Sequence, residues 1–86
     1  MNRYILSDMG YEDSVVFENP DYDKAIIGVS DDDRVIYDYD KMIECLVSED
    51  DMTEEEAVDF ISYNTIRSLT YIQNDKKPII MFSLME

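Results

Sequence analysis

Apolar residues recur in two rhythms along this chain, and the change from one to the other marks its elements. Up to Tyr37 they come as short runs rich in Val and Ile, Ser14–Phe17, Ala25–Ser30 and Val35–Tyr37, the length and composition of β-strands. Glu18-Asn19-Pro20-Asp21 separates the first two with a strong turn signal. Asp31-Asp32-Asp33-Arg34 closes the second and third into a hairpin with a tight acidic loop. Such loops want Gly or Asn where φ turns positive. Here an Asp, expected to be Asp33, must fill that position at some cost.

After Tyr37 the period becomes helical. Tyr39, Met42, Ile43, Leu46 and Val47 share one face, with Asp40, Lys41, Glu44 and Ser48 on the other, and Asp38 is the natural N-cap. A second helix starts at Thr53, where Thr53-Glu54-Glu55-Glu56 spells a capping box and three acids suit the helix dipole. Ala57, Val58, Phe60, Ile61 and Asn64 are expected on its inner face, with Glu55, Asp59 and Ser62 outward. A short turn or helix through Thr65–Leu69 and a loop at Asn74–Pro78 follow. Ile79–Leu84 is apolar at nearly every position, the pattern of a strand covered on both faces, so the middle of the sheet is its expected place. Arg3–Leu6 suits a further strand, while residues 1–13 as a whole read as irregular. The fold expected is α+β: a small antiparallel or mixed sheet, hairpin plus C-terminal strand, packed against two consecutive helices.

Length and composition narrow this to one domain over 1–86. The chain has room for a single core, and 45% apolar with 12% aromatic residues is too rich for a disordered acidic tail. No basic stretch followed by an apolar one leads the chain and no run is long enough to span a bilayer, so a cytoplasmic protein without a membrane partner is expected. Cys45 is the sole cysteine, set among Met42, Ile43, Leu46 and Val47, and reads as a small buried residue.

Charge changes the picture more than composition does. Thirteen Asp and Glu face two Lys and Arg between Asp31 and Asp59, a local net charge of −11 out of −14 for the chain. That density repels nucleic acid and anionic lipid and suits a cationic protein surface. It assembles no recognisable chemistry. Asp31-Asp32-Asp33 lacks the alternation, central Gly and terminal Glu of a calcium loop. Asp38 with Asp40, and Glu55 with Asp59, read as acids on solvated faces, without a pocket that excludes water. Without histidine or a Gly-rich phosphate loop, neither an enzyme, a metal nor a cofactor is expected.

Two readings of the acidic face remain open. In one, carboxylates imitate the phosphate array of a nucleic acid before a basic groove, through Asp31, Asp32, Asp33, Asp40, Glu44, Glu49, Asp50, Asp51, Glu54, Glu55 and Asp59, with Tyr22 as an exposed aromatic contact. Duplex DNA carries about one charge per 1.7 Å, whereas Glu55 and Asp59 are separated by a rise of roughly 6 Å. One helix cannot match that density, so the hairpin loop, the interhelical turn and the second helix would act together. In the other reading the acids only keep the protein soluble, and binding uses a hydrophobic patch or sheet edge, with the Ile79–Met85 strand and Tyr22 mattering most. A monomer or weak homodimer suits both. Tyr37 and Tyr39 read as core residues, and Asn64, Thr65 and Arg67 as capping or pairing groups.

At Val15-Val16-Phe17-Glu18-Asn19-Pro20-Asp21-Tyr22-Asp23, Ala25-Ile26-Ile27-Gly28-Val29, Tyr37-Asp38-Tyr39-Asp40-Lys41-Met42, Met52-Thr53-Glu54-Glu55-Glu56-Ala57 and Tyr63-Asn64-Thr65-Ile66-Arg67, the chain resembles a family of small uncharacterised proteins of Firmicutes and their phages or integrated elements. The resemblance spans about residues 14–82 and implies no established activity. Relatives tend to carry Gly where this chain has Asp33 and Asp51. A phage setting implies a small acidic inhibitor of a host nucleic-acid-binding enzyme, of the anti-CRISPR or anti-restriction type, by association alone.

Overall fold

The computed structural model describes residues 3–18 and 20–84; Asn19 of the turn expected at 18–21 and Met85 at the end of the last apolar run lie outside them. The chain order is α1 (Arg3–Asp8), a 3-10 turn (Asp23–Ala25), β1 (Ile26–Val29), β2 (Val35–Asp38), α2 (Tyr39–Glu49), α3 (Glu54–Phe60), a π-helical stretch (Ile61–Ile66), α4 (Arg67–Leu69) and β3 (Ile79–Met81). Three strands and the helices packed on them make an α+β fold.

The sheet has the order β1-β2-β3, with β1 and β2 antiparallel and β2 and β3 parallel. β2 is therefore central, and the expectation that Ile79–Leu84 fills the middle is overturned. Val35, Tyr37 and Asp38 of β2 are buried, whereas β3 is a three-residue edge strand and Phe82 and Leu84 beyond it are exposed. A continuous apolar run does not distinguish a strand covered twice from one left at an edge. The side chains of Tyr37 and Ile26 point into the core, with Ile80 packed against it.

Two other expected strands are absent. Arg3–Leu6 belongs to the six-residue helix α1. It ends in a Schellman turn: the Tyr11 amide donates to the Leu6 carbonyl at 2.8 Å and the Gly10 amide to Ser7 at 3.2 Å, around Gly10 at φ 92°. From this helix Leu6 is buried in the core. Residues 14–17 are extended but form no ladder. The Val15 amide donates to Lys76, the Phe17 amide to the Tyr37 hydroxyl at 3.1 Å, and the Ser14 hydroxyl to the Asp33 carbonyl. These single bonds let Val16 and Phe17 pack on the core without pairing along an edge.

The helices begin where expected. Asp38 ends β2 and caps α2, its carboxylate accepting from the Lys41 amide at 3.0 Å. It is 8% exposed, so the expectation of a solvated Asp38 is corrected: the cap holds it against the sheet. Met42, Cys45 and Leu46 of α2 are buried, while Val47 lies at its margin. At α3 both halves of the capping box are made, Thr53 amide to Glu56 Oε1 at 3.0 Å and Glu56 amide to Thr53 Oγ1 at 3.1 Å. α3, the π stretch and α4 share right-handed helical dihedrals at every junction and form one rod. Its buried positions are Ala57, Ile61 and Thr65. Asn64 and Val58, expected inside, are exposed; a π turn closes i to i+5 bonds and so carries Asn64 outward and Thr65 inward.

Candidate acidic interaction surface

The acids fall into two groups with different cationic neighbours. The first is the hairpin loop. Its shape comes from backbone bonds between Ser30 and both Asp33 and Arg34, with the Ser30 hydroxyl on the Asp32 carboxylate. Asp33 has φ 63°, the positive-φ position anticipated for this loop. Asp31 and Asp32 are exposed, but Asp33 faces Lys76 at 3.7 Å, and Arg34 Nε donates to the Lys77 carbonyl at 2.9 Å. The basic loop before β3 thus flanks the acidic one, because parallel pairing puts both at the same end of β2.

The second group runs from α2 into α3. Asp40 and Glu44 are exposed along α2. Glu49, Asp50 and Asp51 occupy the turn, where Asp51 has φ 56° and the amides of Asp50 and Met52 both donate to the Leu46 carbonyl. Glu54, Glu55, Glu56 and Asp59 continue along α3, all exposed. Lys24 makes an ion pair with Glu49 at 3.1 Å, and Lys41 lies between Asp40 and Glu44 on α2. The hydrogen bond and charge contact with Glu49 raise the Lys24 pKa. Glu49 through Asp59 therefore form a chain-continuous acidic surface around the α2–α3 turn.

Tyr22 is not part of it. The expectation of an exposed aromatic contact is overturned, since Tyr22 is 1% exposed and its hydroxyl hydrogen-bonds Thr65 Oγ1 at 2.7 Å. Its ring meets Phe17 edge-on at 5.6 Å, and Phe17 in turn tilts on Tyr37 at 4.8 Å. The Asp21 carboxylate accepts from the Asp23 amide, holding the loop in the turn that aims Tyr22 inward at φ 50°. Flanking acids suggested exposure, but Asp21 and Asp23 are themselves half-buried and the ring between them fills the core. Burial pushes the Tyr22 pKa up. It does the same to Cys45, which is 5% exposed and whose thiol stays protonated at neutral pH.

One feature of the surface was missed from sequence. Tyr63 is 67% exposed and stands over an open groove of about 380 Å³ lined by Met52, Glu56, Asp59, Phe60, Tyr63 and Asn64. The spacing Glu56, Asp59, Tyr63 places all three on one flank of the rod, a signal available from periodicity alone. Among the described residues no group of three or more His, Cys, Asp or Glu is arranged to hold a metal ion, and no helix is long and apolar enough to cross a membrane. Comparison with protein-family models, curated proteins and solved structures finds no match.

Proposed function

We propose that this protein is an acidic protein-binding module that occupies a cationic surface otherwise used by DNA or RNA, and so inhibits a host nucleic-acid-binding enzyme. The observation that carries this reading is the run of exposed carboxylates at Asp50, Asp51, Glu54, Glu55 and Asp59, none of which makes an ion pair among the described residues. The flanked hairpin loop contributes less, through Asp31 and Asp32. Asp40 and Glu44 extend the charge along α2. The inhibitor setting is suggested by the expected resemblance to small proteins of Firmicutes and their phages or integrated elements.

Charge-driven association weakens steeply with salt, because screening acts on encounter between exposed charges. The test is capture from host lysate on the immobilised protein at low and high salt, followed by displacement with duplex DNA. Basic nucleases retained only at low salt and released by DNA support the proposal; capture that ignores both salt and DNA contradicts it. A second reading rests on β3, an edge strand followed by exposed Phe82 and Leu84. Bare edges pair with other chains, and salt-insensitive binding or a homodimer lost on Met81→Lys selects that reading.

A further inference from the structure

The groove beside Tyr63 differs from the rest of the acidic surface in having an apolar floor and an aromatic wall. Met52 and Phe60 are half-buried in it, while Glu56, Asp59 and Tyr63 are exposed around them. The Glu56 carboxylate spends one oxygen on the Thr53 amide, which fixes its position on the first turn of α3. Asp59 makes no ion pair among the described residues. The π stretch widens the helix under Tyr63 and Asn64, a distortion that recurs at functional sites.

We infer that this groove receives an arginine side chain from the cationic partner. The inference rests on the protein-binding reading above and names what that surface recognises. A guanidinium stacks flat on a tyrosine ring and forms paired hydrogen bonds with a carboxylate, while its aliphatic stem covers apolar surface. Tyr63, Asp59 and the Met52–Phe60 floor match those three needs in one place. Lysine meets only the charge, since its ammonium is a compact, strongly hydrated point. In the hairpin, Asp33 already faces Lys76.

The experiment titrates the full chain with an alternating arginine–glycine peptide and with its lysine–glycine counterpart of equal length, at low salt, by calorimetry and heteronuclear NMR. The arginine peptide is expected to bind about three- to fivefold more tightly, with the largest shifts at Met52, Asp59, Tyr63 and Asn64. Tyr63→Ala removes that preference but leaves charge-driven binding of both peptides, and Tyr63→Phe retains it. Asp59→Asn weakens the arginine peptide more than the lysine one. Equal affinities for the two peptides, or shifts centred on Asp31–Asp33, overturn the inference and leave the acidic-module reading standing. Binding of neither peptide overturns both.

Discussion

Tyr22, Asp33 and Asp51 are held at φ 50°, 63° and 56°, where a side chain crowds its own backbone and glycine does not. Asp is among the residues that tolerate this region best, so both acids are endured rather than favoured. Asp51→Gly and Asp33→Gly are each expected to raise stability by about 0.5–1 kcal/mol, the relief of strain exceeding the entropy gained by the unfolded chain. Asp33 also gives up its half-exposed ion pair with Lys76, worth little in solvent. A lowered urea midpoint in both variants contradicts the strain argument. Tyr22 is different, because its ring and hydroxyl are both used. Tyr22→Phe leaves the buried Thr65 hydroxyl without its partner and is expected to destabilise the fold by about 1–3 kcal/mol. Burial raises the folded pKa of Tyr22 above its ordinary 10.0. Stability from this group is thus intact below that value and is lost as pH rises through the folded pKa, because the unfolded chain releases the proton first. Unfolding midpoints across the alkaline range should fall less steeply in Tyr22→Phe than in the parent protein.

At the scale of elements, what the sequence disclosed and what it concealed separate by distance along the chain. The caps at Asp38 and Thr53 are made with amides three residues away, so their residue types announce them. The same holds for the hairpin and for its positive-φ Asp33. Residues 14–17 and 79–81 are alike in local composition, yet only the second pairs, in parallel with β2. Which of them wins that edge depends on how the whole chain closes. Tyr22 is likewise decided by Thr65, 43 positions on. Its acidic neighbours are no guide to that. The acidic surface was readable as charge, but its division into a flanked hairpin and an open α2–α3 turn follows from parallel pairing that no local pattern encodes. The capping box gives this scale its own test. Thr53→Ala removes an exposed side chain without opening a cavity and is expected to cost about 1 kcal/mol, read as a lower urea midpoint with frayed amides at residues 54–56 by hydrogen exchange. An unchanged midpoint means that burial of Ala57 and Ile61 alone sets the start of α3.

For the molecule as a whole, one cause acts in opposite directions on folding and on binding. A net charge of −14 on 86 residues repels itself in the compact state, and this repulsion is relieved by salt or by protonating carboxylates. The same screening weakens attraction to a cationic partner. Raising ionic strength from low values to about 0.15 M, where the Debye length is about 8 Å, should therefore raise the melting temperature while it lowers affinity. Glu55→Lys with Asp59→Lys changes the net charge from −14 to −10 at two exposed positions. The double variant is expected to melt no lower than the parent at low salt, with a smaller salt dependence, yet to associate more slowly with a basic partner. Melting temperature and association rate measured on the same samples decide the matter. If the parent's melting temperature falls steadily as salt is added, favourable ion pairs such as Lys24 with Glu49 outweigh the repulsion, and the acids contribute to the fold instead of straining it for the sake of a partner.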